Sequence, residues 1–411
     1  MEIEHLDVHG ARAALVWEPD VPIVSTSIRI AAGSRDDPAA RHGLAHVLEH
    51  TMFAGSDSRG RGEFGRLIET AGGVVNANTL ADWTTYWHVV PAESFPLVLK
   101  SETARFAAAC DRFTEDSVGA DAQIVLRERH QRVSSPVYGD AAERLLAAVH
   151  PVGSPYRHLP VGDPEHVGRV GAADCRAFFE RNYVSENVFA VILGRFDRAA
   201  ARTETAELLG MFGSGTARAP IPDDRRMTTV RVVVATESRD RVFLGVPLAP
   251  MNERGFELAE IGSIVLGRGP SSILARLLVQ ESALAESVSL RVIPHQWCGS
   301  LGIVELAPRP GVGVEQIIDG FDAAMDSVVR RGVAADDIGR ARAVYLSSWL
   351  AEDDSLLHRA DGLTLSMQIH GGIDRYLEQS GRIEAMTADD FQRAARLWNS
   401  PRARAEVVYV R

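Results

Sequence analysis

At 411 residues the chain is too long for one ordinary domain and suits about two or three. Its 45% hydrophobic and 24% charged content is that of a globular protein with sizeable cores, and no apolar run approaches the roughly 18–20 residues of a membrane-spanning helix. A formal net charge of −11 argues against nucleic acid as the main partner, because phosphate binding needs a basic surface. The N-terminus, Met1-Glu2-Ile3-Glu4-His5, is acidic where a signal peptide would be basic, so neither secretion nor membrane insertion is expected. Cys110, Cys175 and Cys298 form neither a disulfide framework nor a CxxC pair. They fit a reducing cytoplasm and the role of small buried hydrophobes.

Taken in chain order, Ala13–Trp17 and Ile23–Ala32 read as a strand pair, followed by the turn-rich loop Gly33-Ser34-Arg35-Asp36-Asp37-Pro38. Between Gly43 and Ala54 the apolar residues Leu44, Val47, Leu48 and Met52 recur at helical spacing. Phe64–Ala71 predicts a second amphipathic helix, closed by Gly72-Gly73 as a C-cap. Strands are expected at Val74–Asn78 and Thr84–Val90, and long helices at Glu93–Ala109 and Ser117–Val133. Residues 213–226 collect Gly, Ser, Pro, Asp and Arg with little apolar content, which is linker chemistry. Strands then restart at Val230–Thr236 and Val242–Val246, with helices at Gly255–Leu266, Ser272–Ser282 and Val314–Arg330. Phe178–Phe196 and Ala394–Arg411 finish alike: a helix end, an aromatic and an Asn side by side, a polar turn and a β-rich strand. The reading is therefore α+β, with two related domains of mixed sheet packed with helices: residues 1–212, a linker at 213–226, and residues 227–411.

The sharpest local feature is His46-Val47-Leu48-Glu49-His50. On a helix His46 and His50 stand one turn apart on one face, so both imidazoles can reach one ion. Neutral imidazole suits Zn²⁺, which in catalytic sites takes three protein ligands and keeps one position open. Glu49 would project near that ion, placed to take a proton from water. The order is H-x-x-E-H, the reverse of H-E-x-x-H. The competing reading is two surface histidines and a solvated glutamate.

On these residues the chain resembles the pitrilysin-type zinc metallopeptidases, in the half-length branch that includes mitochondrial processing peptidase. The resemblance covers most of the chain and is strongest over residues 24–200. Residues 31–56, AAGSRDDPAARHGLAHVLEHTMFAGS, look like the family's signature helix with its leading Gly-Ser loop. Residues 72–87, GGVVNANTLADWTTYW, are similar to its Gly-Gly-x-x-Asn-Ala-x-Thr strand and the strand after it. Residues 121–132, DAQIVLRERHQR, look like its downstream helix, and 183–196, YVSENVFAVILGRF, match the strand closing its first domain.

The resemblance implies that His46 and His50 are zinc ligands, Glu128 the third ligand and Glu49 the general base. It makes Asp121, two helical turns before Glu128, a group that orients a ligand histidine, although the family usually has the longer Glu there. An ordinary solvated helix residue is the other reading of Asp121. His130 is a rival ligand by type but would face elsewhere on the helix. The stretch Asn76-Ala77-Asn78-Thr79 is implied to hold an extended peptide substrate as an added strand, against the plainer reading of a buried strand with polar ends.

Residues 267–290, GRGPSSILARLLVQESALAESVSL, depart from the family's pattern. Active single-chain members carry an Arg and a Tyr where this chain has Val279 and Glu286, and Ile273 replaces the Arg of a Ser-Ser-Arg-Leu motif. Neither Val nor Glu donates a hydrogen bond to an oxyanion at neutral pH, a loss that typically costs about 10²–10³ in rate. The resemblance thus implies half of a clamshell chamber: a zinc-bearing cytoplasmic subunit acting on unfolded peptides or a propeptide. A paralogous half-length partner would supply the Arg/Tyr pair in a heterodimer, with a homodimer as the alternative. A non-catalytic scaffold subunit of the same fold is the rival. Gly267-Arg268-Gly269-Pro270 is not a phosphate loop, because no Lys-Ser/Thr follows and Pro removes an amide donor. His295 and His358 stand alone and read as structural or exposed.

Overall fold

The computed structural model describes residues 2–53, 62–225, 229–401 and 403–411. The expected end of the first helix at Ala54 and the junction at 226–227 lie outside these. The chain forms two compact units that are not contiguous in sequence. The first comprises the chain up to His130 with Leu159–Ala219 and Ala351–Tyr376; the second comprises Gln131–His158, Pro220–Leu350 and Leu377–Arg411.

The first unit is built on a six-stranded sheet of β1 (Glu2–Val8), β2 (Ala11–Trp17), β3 (Ile23–Ile30), β4 (Val74–Thr79), β5 (Thr84–Pro91) and β6 (Val188–Gly194), in the order β1-β2-β6-β3-β5-β4. Only β2 and β6 run parallel; every other neighbour is antiparallel. One face carries α1 (Leu44–Thr51), α2 (Glu63–Thr70), α3 (Phe95–Ala107) and α4 (Glu115–Arg129), together with the helices Ala172–Asn182 and Arg198–Gly210. The opposite face, with Ala14, Val16, Phe189, Val191 and Leu193, is covered by Ala360, Leu363 and Met367 of the helix Leu356–His370. Burial on both faces explains why β6, VFAVILG, is apolar throughout rather than alternating.

The second unit holds a five-stranded sheet of β7 (Val230–Ala235), β8 (Arg241–Pro247), β9 (Ala285–Ile293), β10 (Leu301–Pro308) and β11 (Ala405–Val410), ordered β7-β11-β8-β10-β9. Here β7 and β11 are the parallel pair and the rest are antiparallel. With the edge strand β1 set aside, replacing β2, β6, β3, β5 and β4 by β7, β11, β8, β10 and β9 converts the first order into the second, so the units share one five-stranded topology. The chain-end resemblance between β6 and β11 in the sequence reflects this equivalence. Where the first unit inserts α1 between its second and third core strands, the second inserts Arg254–Gly267, a helix without histidine. The helix expected over Ser272–Ser282 takes the wider π form at Ala275–Glu281, and the one expected to Val133 continues past Arg129 as the π-helix His130–Ser134. Among the described residues, no helix is long and apolar enough to cross a membrane.

Candidate metal centre

The first helix owes its position to its leading loop. Asp37 accepts hydrogen bonds from the backbone N–H groups of Gly43 (2.6 Å) and Ala45 (2.8 Å), satisfying donors that a helix start leaves open. Gly43 sits at φ +101°, and a Cβ there would stand 2.6 Å from Val167 Cγ2, so only glycine fits this turn. Gly33 lies against the β4–β5 turn, where a Cβ would meet the Leu80 carbonyl oxygen at 2.2 Å. Ser34 and Arg35 donate backbone bonds to Leu80 and Ala81 of that turn. Arg35, buried, pairs with Asp82 at 3.3 Å, fastening the loop below the end of β4.

Helix α4 is capped by Thr114, whose hydroxyl accepts from the Ser117 N–H at 3.1 Å. At its far end Arg129 donates to the carbonyl of Gly162 at 2.7 Å, the glycine whose Cα lies beneath Gly43. Both helices are thereby pinned to one turn, and α4 packs along α1.

This packing brings three donors together. His46 Nε2 stands 3.7 Å from Glu128 Oε2, and His50 Nε2 3.8 Å from Glu128 Oε1. The two imidazoles meet edge to face with centroids 4.9 Å apart. One ligand atom from each of His46, His50 and Glu128 lies within 4.8 Å of the others. Ligands around a tetrahedral ion with bonds near 2.0–2.1 Å stand roughly 3.3–3.5 Å apart, so modest closure would bring these atoms onto one ion.

Glu49 is buried between His50 and β4, and Thr79 Oγ1 donates to its Oε2 at 2.6 Å. Within the strand implied to hold a peptide, the Thr79 side chain turns inward onto α1's carboxylate while Asn76 and Asn78 are exposed. The alternation is the ordinary two-residue period of a strand. β4 is an edge strand of its sheet, paired on one side with β5. Asn76 Oδ1 accepts the N–H of Ala77 at 2.9 Å. Glu49, His50, Phe53, Asn76, Asp121 and Ile124 line a cleft of about 230 Å³. Asp121 is buried within it, whereas His130 is exposed and stands outside the three-donor group.

Because a hydrogen bond to a charged group is worth about 1.5–3 kcal/mol, Thr79→Val is expected to lower kcat roughly ten- to a hundredfold. KM and bound metal should be retained, and Thr79→Ser should restore the rate. Steady-state kinetics alongside metal analysis checks this, and an unchanged kcat in Thr79→Val would deny Thr79 any positioning role.

Behind the cleft lies a buried group that local sequence patterns do not single out. Arg105 is fixed by Glu102 through bonds of 2.9 and 2.6 Å, and stacks within 4.7–5.0 Å of Phe53, Phe64, Tyr86 and Phe106. Tyr86 and Tyr183 share a hydroxyl–hydroxyl bond of 2.7 Å. Burial, reinforced by Tyr183, raises the Tyr86 phenol well above its ordinary range, so it stays protonated. On helix α3, Glu102 and Arg105 look like a solvated i,i+3 pair; only the strand and helices around them reveal an aromatic box.

In the second unit, Ile273 is buried in the core and Val279 packs against it. Glu286 receives two bonds from Arg239, at 2.9 and 3.0 Å, so an anion already held by a cation occupies that position. His295 is buried with Nδ1 3.0 Å from the Gly299 carbonyl, and His358 is exposed.

Residues 12–153 match the family described as insulinase (peptidase family M16), and residues 169–345 match its companion described as the peptidase M16 inactive domain. The chain belongs to peptidase family M16. An M16 relative, an uncharacterized zinc protease of Streptomyces coelicolor, is 26% identical over 404 residues, covering 94% of this chain and 85% of that protein. The mitochondrial-processing peptidase subunit beta of Blastocladiella emersonii is 26% identical over 193 residues, 46% of this chain and 40% of that protein. A protease from Helicobacter pylori of known crystal structure superposes with a TM-score of 0.86 at 19% identity, covering 100% of this chain and 99% of that one, which places the fold among M16 halves. In this M16 chain the clustered donors are two imidazoles and one carboxylate, a set that fits a divalent ion of zinc's kind.

Proposed function

We propose that this chain is the zinc-bearing subunit of a metalloendopeptidase acting on unfolded peptides or a propeptide. The reading rests on the convergence of His46, His50 and Glu128 beside a buried Glu49 that lines the adjoining cleft with His50. His46 and His50 would hold zinc through Nε2, with the Glu128 carboxylate as third ligand. Bound there, zinc supplies a Lewis acid that polarises a carbonyl and acidifies water. Glu49, held by Thr79, takes the proton of the attacking water and can return it to the leaving amine. Asp121 orients its neighbours in the cleft. The edge strand at Asn76, Ala77, Asn78 and Thr79 takes the substrate as an added strand, through backbone pairing that needs little sequence choice.

Residues 1–212 would carry most of the catalytic unit and 227–411 most of the related unit without this site, joined through 213–226; Gln131–His158 and Ala351–Tyr376 belong to the opposite unit from their chain neighbours. With Val279 and Glu286 where oxyanion donors are needed, the subunit works with a paralogous half-length chain that brings Arg and Tyr, in the cytoplasm where its three thiols remain reduced. The test is hydrolysis of an unstructured peptide by this chain alone and mixed with such a paralogue. The expected result is stoichiometric zinc and a rate that rises about 10²–10³-fold on mixing. Brisk hydrolysis by the isolated chain would remove the partner from the account and leave a homodimer. Metal-free protein inert in both settings would return the scaffold reading.

A further inference from the structure

The second unit contains a further cluster of metal-ligating groups that the peptidase chemistry does not use. We propose that His150, Asp224 and Cys298 form a second divalent-cation site, suited to zinc or a similar borderline ion. This inference is independent of the proposed peptidase activity.

His150 directly follows α5 (Ala141–Val149), Asp224 lies on the segment before β7, and Cys298 sits in the loop between β9 and β10. His150 and Cys298 are fully buried, while the Asp224 side chain keeps 31% of its exposure, leaving an approach for an ion. His150 Nδ1 stands 3.1 Å from Asp224 Oδ1, and Cys298 Sγ stands 3.2 Å from the same oxygen. Sulfur and ring nitrogen are 4.0 Å apart. These separations bracket the roughly 3.3–3.8 Å between neighbouring ligands of a tetrahedral ion with N, O and S donors. Ser154 Oγ, 3.4 Å from His150 Nδ1, and Asp223 Oδ1, 4.0 Å from Sγ, flank the position. The nearby cation, Arg225, is already engaged: both Asp223 oxygens and the carbonyls of Leu248 and Ser300 accept its N–H groups.

The chemistry closes without residual charge. Burial holds His150 in its neutral form and pushes the Cys298 thiol up to about 12, so without an ion the cluster is a chain of N–H and S–H groups on one carboxylate. On binding, the imidazole moves its proton from Nδ1 to Nε2, and the thiol releases its proton to solvent. A divalent ion, one carboxylate and one thiolate then sum to zero, the charge that a largely buried site tolerates best. A thiolate and an imidazole select zinc-like ions over calcium or magnesium, which take oxygen donors. Three protein ligands leave one coordination position open. The ion would clip three chain segments, each 74 residues from the next, a spacing no short motif records.

The metal-free full chain titrated with Co²⁺ provides the test, read by the near-ultraviolet charge-transfer band of a cobalt–thiolate bond. The His46, His50 and Glu128 group contains no sulfur, so the band cannot arise there, and Cys298→Ser separates this thiol from Cys110 and Cys175. A saturable band is expected, complete by two equivalents because the His46, His50 and Glu128 group takes up the same ion, and lost in Cys298→Ser together with one bound ion. Asp224→Asn, at a partly exposed position that folding tolerates, should weaken the band's apparent affinity tenfold or more. His46→Ala should leave it unchanged, so a failure of the peptidase reading leaves this one standing. No band in the wild-type chain, or a band of full strength in both Cys298→Ser and Asp224→Asn, would overturn the proposal.

Discussion

Glu49→Gln is expected to abolish peptide hydrolysis while the protein keeps its zinc and its fold. Glutamine preserves the side chain's length and can still accept the Thr79 hydroxyl that now meets Glu49 Oε2 at 2.6 Å. What it cannot do is take a proton from water, and that role is worth about 10²–10⁴ in rate. The carboxylate is not a ligand in the proposed arrangement, so zinc content should stay stoichiometric. Replacing a buried charge by a neutral amide of the same shape should leave thermal stability near wild type or slightly raised. Hydrolysis of an unstructured peptide, measured in whichever assembly of the wild type is active and paired with metal analysis, decides the matter. Full activity in Glu49→Gln would remove this residue from the mechanism. Loss of both zinc and activity would make it part of the metal cage instead.

The features on which this rests differ in how far the sequence discloses them. Leu44, Val47, Leu48 and Met52 are essentially inaccessible, so the helical spacing that announces α1 is the imprint of its buried face. β4 and β5 are equally open to inspection, since Val75, Ala77 and Thr79 alternate with exposed Val74, Asn76 and Asn78. That alternation does not reveal what lies beneath β4, and so it leaves undetermined that Thr79 meets Glu49. On α4 both Asp121 and Glu128 share a face, and periodicity cannot say which reaches the imidazoles; the turn at Gly162 that clamps α1 to α4 decides. β1, only one of whose side chains is buried, lies at the sheet edge, and so little burial leaves no strong strand pattern in its sequence. The helix Leu356–His370 joins the first unit through Ala360, Leu363 and Met367, contacts made across most of the chain's length that no local pattern encodes. Cys298 read as a small buried hydrophobe, and burial is what the structure gives it, but beside His150 and Asp224.

Glu128→Gln should have the largest effect of all, because it removes the only anionic donor from the three that converge. Two neutral imidazoles can bind zinc weakly, but the carboxylate offsets the ion's charge in a site where His46 is buried and His50 and Glu128 are only partly exposed. The amide that replaces it is a poor ligand, so zinc should fall well below stoichiometric after dialysis, and hydrolysis should vanish with it. Excess zinc should restore part of the activity, which distinguishes a weakened site from a damaged fold. A ligand present at a thousand times its Kd stabilises the folded state by about 4 kcal/mol. A chelator should therefore lower the melting temperature of the wild type by several degrees and that of Glu128→Gln by clearly less. Asp121→Asn provides the contrast: lining the cleft without joining the donor group, it should weaken binding or rate only about 10–100-fold. If Glu128→Gln held zinc as tightly as the wild type, the third ligand would have to be sought elsewhere in the cleft. Asp121 would then be the next carboxylate to replace.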